Sequence, residues 1–499
     1  MAVQTRPRRP ELDLVDRLPH KLLIGGRWVD ARSGATFETH DPATGELLAT
    51  VAAGGREDVD AAVKAARRAY DEVWKGLSPA ARGRLLIRLA ELIEENVEEI
   101  AALETLDVGK PLTESLYVDM SIVGDVYRYF GGWATKICGQ TLPASPTVGS
   151  AFIYTRREPL GVVGAIVPWN FPMTLTALKL GPALAAGNTV VLKPAEQTPL
   201  TAIRLGELVT EAGFPDGVLN IVTGLGHEAG AALAEHPGVD KVAFTGSTSV
   251  GRQVLAASVR NLHPVQLELG GKSPNIILAD ADLEAAVQGA LWGIFLNQGQ
   301  ICCAGSRLYV EGPVHDEVVE RMAAHAEDLV LGHGLDPDTQ MGPLVSAVQR
   351  DRVHGYVESG VAEGATCRTG GDAPGGDLAR GYFYRPTLLT GVRDDMRVAR
   401  EEIFGPVLSV MPFDDVDDVV RRANASNYGL AAGIWTRDIG KAHRIAHELE
   451  AGTVWVNTYN MFDPTAPFGG YKDSGFGRDL GEDAVLAYTQ SKTVWINLD

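Results

Sequence analysis

The sequence predicts an α/β protein built on parallel, doubly wound sheets. Three observations predict it. Short apolar runs alternate with helical periods from Val162 to Val259. A second alternation of the same kind runs from about Pro274 to Asn457. The chain has 499 residues, too many for one ordinary core, so two large lobes are expected.

The elements follow in order. Lys21 to Asp30 and His40 to Ala53 read as short strands joined by Gly, Pro and Thr turns. Asp58 to Cys138 is helical in period, with Ala61, Ala62, Ala65, Ala66 and Tyr70 on one apolar face and Leu85, Leu86, Leu89, Leu92 and Ile93 on another. Leu142 to Glu158 reads as an extended hairpin turning at Pro146 and Gly149. Strands are then expected over Val162–Val167, Thr189–Leu192, Val218–Val222 and Lys241–Phe244. Helices are expected over Met173–Leu184, Thr201–Ala212, Ala229–Glu235 and Ser249–Val259. In the second alternation, helices are expected near Leu283–Asn297, Val314–Leu331 and Gln349–Glu363, and Thr489 to Leu498 reads as a last strand. Sheets of this kind bind ligands beyond the carboxyl ends of their strands. The loops after Val167, Leu192, Val222 and Phe244 therefore carry the interest.

Composition narrows the function. Hydrophobic residues make up 45% and charged residues 22%, the balance of a globular enzyme. With 64 acidic and 45 basic side chains the net charge is −19, which repels nucleic acid but leaves room for an anionic cofactor at helix N-termini. The four cysteines show neither a zinc spacing nor a disulfide framework, so no metal is expected and a cytoplasmic setting is. Met1 to Pro10 is basic without an apolar core, unlike a secretory signal, and no apolar stretch is long enough to span a bilayer.

Five stretches can carry chemistry. Val167-Pro168-Trp169-Asn170-Phe171-Pro172 ends a strand with an amide held between two prolines; it reads as a packed aromatic corner or as a loop that aims Asn170 at an oxyanion. Val190-Val191-Leu192-Lys193-Pro194-Ala195-Glu196 ends a strand in a lysine and a glutamate. These form either a surface ion pair or a site where Glu196 accepts ribose hydroxyls and repels a 2′-phosphate. Two glycine runs, Gly224 to Gly230 and Gly246 to Gly251, open helices; the first misses a dinucleotide fingerprint by one residue, and the second has Arg252 where a P-loop needs lysine. In Leu267-Glu268-Leu269-Gly270-Gly271, Glu268 alternates with leucines. It faces solvent, or it sits in an apolar cleft with the raised pKa of a general base.

Cys302 lies in Asn297-Gln298-Gly299-Gln300-Ile301-Cys302-Cys303, a glycine-flanked turn between a helix and a strand pattern, where a nucleophile can be exposed. A lone cysteine is more often a small buried hydrophobe.

The company these residues keep is specific. Pro168-Trp169-Asn170, Lys193-Pro194-Ala195-Glu196, Phe244-Thr245-Gly246-Ser247, Glu268-Leu269-Gly270-Gly271-Lys272, Gly299-Gln300-Ile301-Cys302, Glu401-Glu402-Ile403-Phe404-Gly405-Pro406 and Pro467-Phe468-Gly469-Gly470-Tyr471-Lys472-Asp473-Ser474-Gly475 occur in this order, and together they resemble the aldehyde dehydrogenase superfamily over about Leu22 to Ile496. The resemblance implies a Rossmann-like NAD-binding domain over 1–141 and 159–267 and an α/β catalytic domain over 268–482. It further implies a small β oligomerisation element of 142–158 and 483–499. The hairpin and the last strand would pair between subunits, giving a homotetramer or a dimer.

The resemblance also implies roles. Cys302 would be the nucleophile, Glu268 the base that activates water, and Asn170 with the Cys302 N–H the oxyanion hole. Lys179 would share a proton path with Asp479, which stands where relatives often carry glutamate. Lys193 and Glu196 would hold the adenosine ribose of NAD. The Gly246–Gly251 turn, with Ser247 and Trp169, would meet the pyrophosphate, and Val167, Pro168, Gly226, Gly230, Phe244, Thr245 and Val250 would also touch the cofactor. Leu269, Gln349, Glu402 and Phe404 would meet the nicotinamide end. Phe171, Leu178, Ile301, Phe462 and Phe468 would line the aldehyde's path, and no arginine marks that stretch, so an aliphatic or aromatic aldehyde is expected. Relatives that transfer the acyl group to coenzyme A generally lack the glutamate, so Glu268 favours hydrolysis; Glu196 counts against NADP preference. A non-catalytic member would have lost Cys302, Glu268 or Asn170, and all three are present.

Overall fold

In the computed structural model, residues 11–145, 147 and 149–499 are described. Pro146 of the expected hairpin turn and the basic stretch before Glu11 lie outside them.

The first sheet is centred on five parallel strands in the spatial order Leu219–Ile221, Thr189–Lys193, Val162–Ile166, Lys241–Thr245, Val265–Glu268. Every residue of Val162–Ile166, Thr189–Lys193 and Lys241–Thr245 is buried, because helices cover both faces of the sheet; this is why these strands read as continuous apolar runs rather than as alternation. Val162–Ile166 comes first in the chain and lies mid-sheet, so the strand order reverses between it and Lys241–Thr245. The loops at their carboxyl ends, 167–171 and 246–247, open at that reversal, where such sheets form a ligand crevice.

Local chemistry sets the helices. Pro172 opens Pro172–Ala186 at a position that needs no N–H, and Gly187 closes it at φ 97°, in the left-handed region glycine favours. Ser247 caps Thr248–Asn261 by accepting the Val250 N–H.

The second sheet runs Thr366–Thr369, Thr387–Thr390, Val407–Phe413, Arg307–Glu311, Pro274–Ile277, Ala431–Trp435, Thr453–Val456, parallel except at its first pair. Leu308 and Val310 pack into one core and Tyr309 into another, as period-2 alternation requires. Gly475–Phe476 departs from the expected division of the chain: it lies inside the expected catalytic stretch 268–482 but pairs with Val265–Glu268 at the edge of the first sheet.

The remaining strands meet within the chain. Ala151–Pro159 pairs with Thr489–Asn497 along their whole length. The helix Gly481–Leu486 and the turn at Tyr488 bring the last strand back alongside, so no second subunit is needed to form the ladder. Thr141–Leu142 completes this three-stranded sheet, as the hairpin pattern predicts. Among the described residues, no helix is long and apolar enough to cross a membrane.

Candidate active site

Each polar stretch singled out in the sequence sits at a strand's carboxyl end or on a loop facing it. Lys193 ends Thr189–Lys193, and its Nζ lies 2.8 Å from Glu196 Oε2. Burial would raise the Glu196 carboxyl, but the charge and hydrogen bond of Lys193 outweigh it and hold the group below its ordinary value. Glu196 is thus an ionised acceptor, partly open to solvent. Gly226 lies beside it, donating its N–H to Oε1 at 3.5 Å, and a Cβ on Gly230 would stand 4.0 Å from the Lys193 chain. The two expected contributors therefore converge on one corner, although Gly226–Gly230 forms a wide π turn before the helix Ala231–Glu235 rather than part of one helix.

Gly246 follows Lys241–Thr245, with its N–H on the Glu268 carbonyl at 3.0 Å. A Cβ there would meet the Phe244 ring at 2.5 Å, so the chain turns sharply into the helix capped by Ser247. That helix begins at the loop 246–247 with Val250 exposed, and a helix N-terminus attracts anions. Thr245 Oγ1 is buried without a hydrogen-bond partner among the described residues. Val167 is tied to the Lys193 carbonyl at 3.2 Å, and Trp169 packs edge-on to Phe404 at 5.2 Å. Pro168 and Trp169 thus join the crevice to the second lobe.

At the other end stands Glu402. Its Oε1 accepts the Gly271 N–H at 2.9 Å, and burial pushes its pKa up to about 7. A Cβ on Gly270 would lie 2.2 Å from the same carboxylate, so only glycine admits it. Gln349 supports this corner by donating to the Phe404 carbonyl at 2.7 Å. Leu269 gives its N–H to the Ser474 carbonyl at 3.0 Å, which leaves its own carbonyl as the group to offer a ligand.

Cys302 lies half-buried after a kink in which Asn297 and Gln298 take left-handed backbone angles, φ 47° and 56°. Such angles in non-glycine residues mark a segment held by its surroundings. Asn170 Nδ2 donates to the Gln300 carbonyl at 2.9 Å, and the Asn170 carbonyl accepts from Asn297 Nδ2 at 2.7 Å. One N–H of the Asn170 amide is thus an anchor to the cysteine loop, and the other remains as a donor. A Cβ on Gly271 would approach the Cys302 carbonyl to 2.3 Å, so the Gly270-Gly271 pair lets the two lobes' loops touch. The hydrogen bond with Cys303, added to burial, raises the Cys302 thiol well above its ordinary pKa.

Glu268 ends Val265–Glu268 at 4% exposure, and neither of its carboxylate oxygens has a hydrogen-bond partner among the described residues. Burial raises its pKa well above the ordinary value; the Asp479 and Cys302 charges add to this and Lys179 opposes it. A Cβ on Gly469 would stand 2.7 Å from its Oε1. The solvated strand face is therefore excluded. Lys179 and Asp479 meet at 2.7 Å, so the shorter aspartate still closes the pair.

Phe468, at 9% exposure, adjoins Gly469 and contacts Phe462 at 5.2 Å between ring centres; Phe462 is 40% exposed. Leu178 and Ile301 belong to the same packed cluster as Phe468, with Phe171 and Cys302 against it. Two contacting rings thus link the surface to Gly469, beside the Glu268 carboxylate.

The sequence model of the Aldehyde dehydrogenase family matches residues 28–494. The chain belongs to the aldehyde dehydrogenase family. It is 52% identical over 482 residues to the mitochondrial aldehyde dehydrogenase of Mesocricetus auratus, covering 96% of this chain and 95% of that one. It is 50% identical over 487 residues to the phenylacetaldehyde dehydrogenase of Pseudomonas fluorescens, covering 96% of each. The NAD+ complex of an aldehyde dehydrogenase from Bacillus cereus superposes with a TM-score of 0.96 at 50% identity, covering 99% of both chains.

Some residues around this crevice escape sequence reasoning. Gln266 Nε2 donates to Asp479 Oδ1 at 2.7 Å; its place two residues from Glu268 on one strand puts it on the same face, a signal that could have found it. Lys241 heads a buried strand, donates to the Ala487 carbonyl at 3.0 Å and lies 4.6 Å from the Tyr488 ring centre; burial and Lys179 push its pKa down to about 8. Glu114 Oε2 accepts the Asn297 N–H at 2.9 Å, and no motif points to it.

Proposed function

We propose that the protein oxidises aldehydes to carboxylic acids with NAD, through a thioester on Cys302 that water hydrolyses. The observation that carries this reading is Glu268, a buried carboxyl with unpartnered oxygens, held neutral chiefly by burial, with the charges of Asp479 and Cys302 adding to it. Nothing structural requires an unpaired carboxyl there, and a base with raised proton affinity suits proton abstraction from water near neutral pH.

The crevice fits the cofactor. Glu196 and Glu402 stand at its two ends as acceptors for the two riboses, and the N-terminus of Thr248–Asn261 lies between them for the pyrophosphate. The chemistry NAD supplies when bound is acceptance of a hydride from the substrate carbon. An ionised Glu196 repels a 2′-phosphate, which favours NAD over NADP.

The chain's own residues do the rest. Cys302 reacts as the thiolate, its proton passing to solvent, and its sulfur bonds to the aldehyde carbon as the C=O π electrons move to oxygen. The Asn170 amide and the Cys302 N–H hold the oxygen's new negative charge; one such donor is worth about 3–4 kcal/mol in a transition state. After the carbon is oxidised the acyl group stays on sulfur, and Glu268 takes a proton from the water that attacks it. The released acid frees the thiol. The aromatic approach through Phe462 and Phe468 favours an apolar or aromatic aldehyde. An acylating reading lacks support because Glu268 is present and buried at the nucleophile.

The three-stranded sheet leaves Phe152, Trp495, Ile496 and Leu498 exposed, an apolar surface that supports a homo-oligomer, dimer or tetramer. A reducing, cytoplasmic setting fits the four free cysteines among the described residues.

The test mixes purified protein, NAD and a panel of aldehydes and follows NADH absorbance. NADH formed with apolar aldehydes and abolished in Cys302→Ala supports the reading. No NADH with any aldehyde, or full activity in Cys302→Ala, overturns it.

A further inference from the structure

Asn170 is held on its cysteine side by Asn297 and the Gln300 carbonyl. Its other side leans on a buried charge cluster to which the proposed reaction gives no part. Lys110 is fully buried, and its Nζ lies 3.1 Å from Glu104 Oε1 and 3.1 Å from Asp119 Oδ2. Glu104 and Asp119 are buried as well.

The outward contacts of this cluster converge on one stretch. Glu104 Oε2 accepts the Met173 N–H at 3.3 Å, one of the donors left open at the start of the helix Pro172–Ala186. Asp119 Oδ1 accepts from Thr174 Oγ1 at 3.1 Å. The Lys110 ammonium itself lies 4.1 Å from the centre of the Phe171 ring, within reach of its negative face. Three of the four residues that follow Asn170 are thus tied to one lysine, directly or through a carboxyl that it holds.

Stability alone does not account for this lysine, because desolvation consumes most of the attraction in a fully buried ion pair. Burial and the Asp119 charge raise the Glu104 pKa well above its ordinary value, and Lys110 opposes them. Two carboxyls stand side by side in a dry site only when a cation or a shared proton joins them. Without Lys110 the pair moves apart or shares a proton. Either change moves the oxygens on which Met173 and Thr174 hang.

We propose that Lys110 is a positioning residue: by joining Glu104 and Asp119 behind the Phe171 ring, it fixes the start of Pro172–Ala186 and so aims the free N–H of the Asn170 amide at the substrate oxygen. This rests on the proposed reaction, in which that N–H stabilises the oxyanion. A misplacement of about 1 Å at such a group can cost about a hundredfold in rate.

Two variants test it. Lys110→Met keeps the length of the side chain and removes its charge. Glu104→Gln keeps the shape, but its amide nitrogen must face either Lys110 or Met173, so one of those two contacts is lost. The rate of the first NADH per site, at saturating aldehyde and NAD, should fall by about tenfold to a hundredfold in Lys110→Met and severalfold in Glu104→Gln. Iodoacetamide alkylates Cys302 by displacing iodide and forms no oxyanion, so the alkylation rate should stay at the parent value in both. If Lys110→Met fails to fold, Glu104→Gln carries the test. A first NADH at the parent rate in the folded variants overturns the proposal. So does a loss of NADH rate matched by an equal loss of alkylation rate, which marks a general loosening of the site. A parent protein that forms no NADH overturns the reaction itself, and that result is read before either variant is compared.

Discussion

Lys179 Nζ lies 2.7 Å from Asp479 Oδ2, and both side chains are sealed from solvent. The second Asp479 oxygen takes the Gln266 amide, so the carboxylate is satisfied on both sides. The pair sits beneath Glu268, whose proton affinity it modulates from both directions: Asp479 raises it and Lys179 lowers it.

Removing one partner leaves the other charge buried alone, a loss typically worth about 3–5 kcal/mol. Asp479→Ala should therefore lower the urea midpoint markedly, with a stability loss of that size. Asp479→Glu, which keeps the charge, should retain more stability. A variant Asp479→Ala as stable as the parent in urea titration would show that the pair carries no such weight.

Glu268→Gln separates the two halves of the proposed reaction. The first NADH per site should still form quickly, since the cysteine and oxyanion donors remain. Steady-state turnover should drop by about 10²–10⁴-fold, the range for loss of a general base. Stopped-flow absorbance shows this as a burst followed by a slow phase. A proportional loss of burst and steady state would place the Glu268 contribution before acyl transfer.

Glu196→Gln removes the negative charge while keeping the shape. The preference for NAD over NADP, measured as the ratio of kcat/KM values, should fall by about tenfold or more, equivalent to roughly 1.4 kcal/mol. An unchanged ratio would assign the preference to other residues.

Glu114 supplies a pH dependence of stability. Burial pushes its pKa from 4.5 to about 8, with the Asn297 N–H and Lys110 opposing and Asp119 adding. Between those two values the folded protein keeps a proton that the unfolded chain releases. Stability therefore falls as pH rises through this window, by roughly 3–5 kcal/mol over the whole of it. Glu114→Gln should flatten the curve between about pH 5 and 8. Urea titrations at several pH values read this directly; an identical slope in the variant would mean that the proton is not held at Glu114.

Much of the site is legible from single positions. Lys193 and Glu196 stand out because two charges end an apolar strand, and Glu268 because it interrupts leucines. Each anomaly is local, and each lies at a strand's carboxyl end, where the fold class already directs attention. Gln266 and Lys241 are less legible because one polar residue on a buried strand has no meaning until its partner is known. Their partners, Asp479 and Ala487, lie more than two hundred positions away in the chain. Glu114 was invisible for the same reason: its role depends on the left-handed turn at Asn297, which no periodicity reveals.

The order of motifs pointed to the family, and the rhythm of apolar runs to two mainly parallel sheets, because strand and helix periods are properties of neighbouring positions. Only the tertiary structure decided whether Glu268 faces solvent or a dry cleft. It also decided whether Asp479 reaches Lys179, and whether the last strand pairs with its own chain. Those outcomes depend on burial and on contacts between distant segments. A side chain's charge state and its partners follow from what packs against it, and packing is fixed in space rather than along the chain.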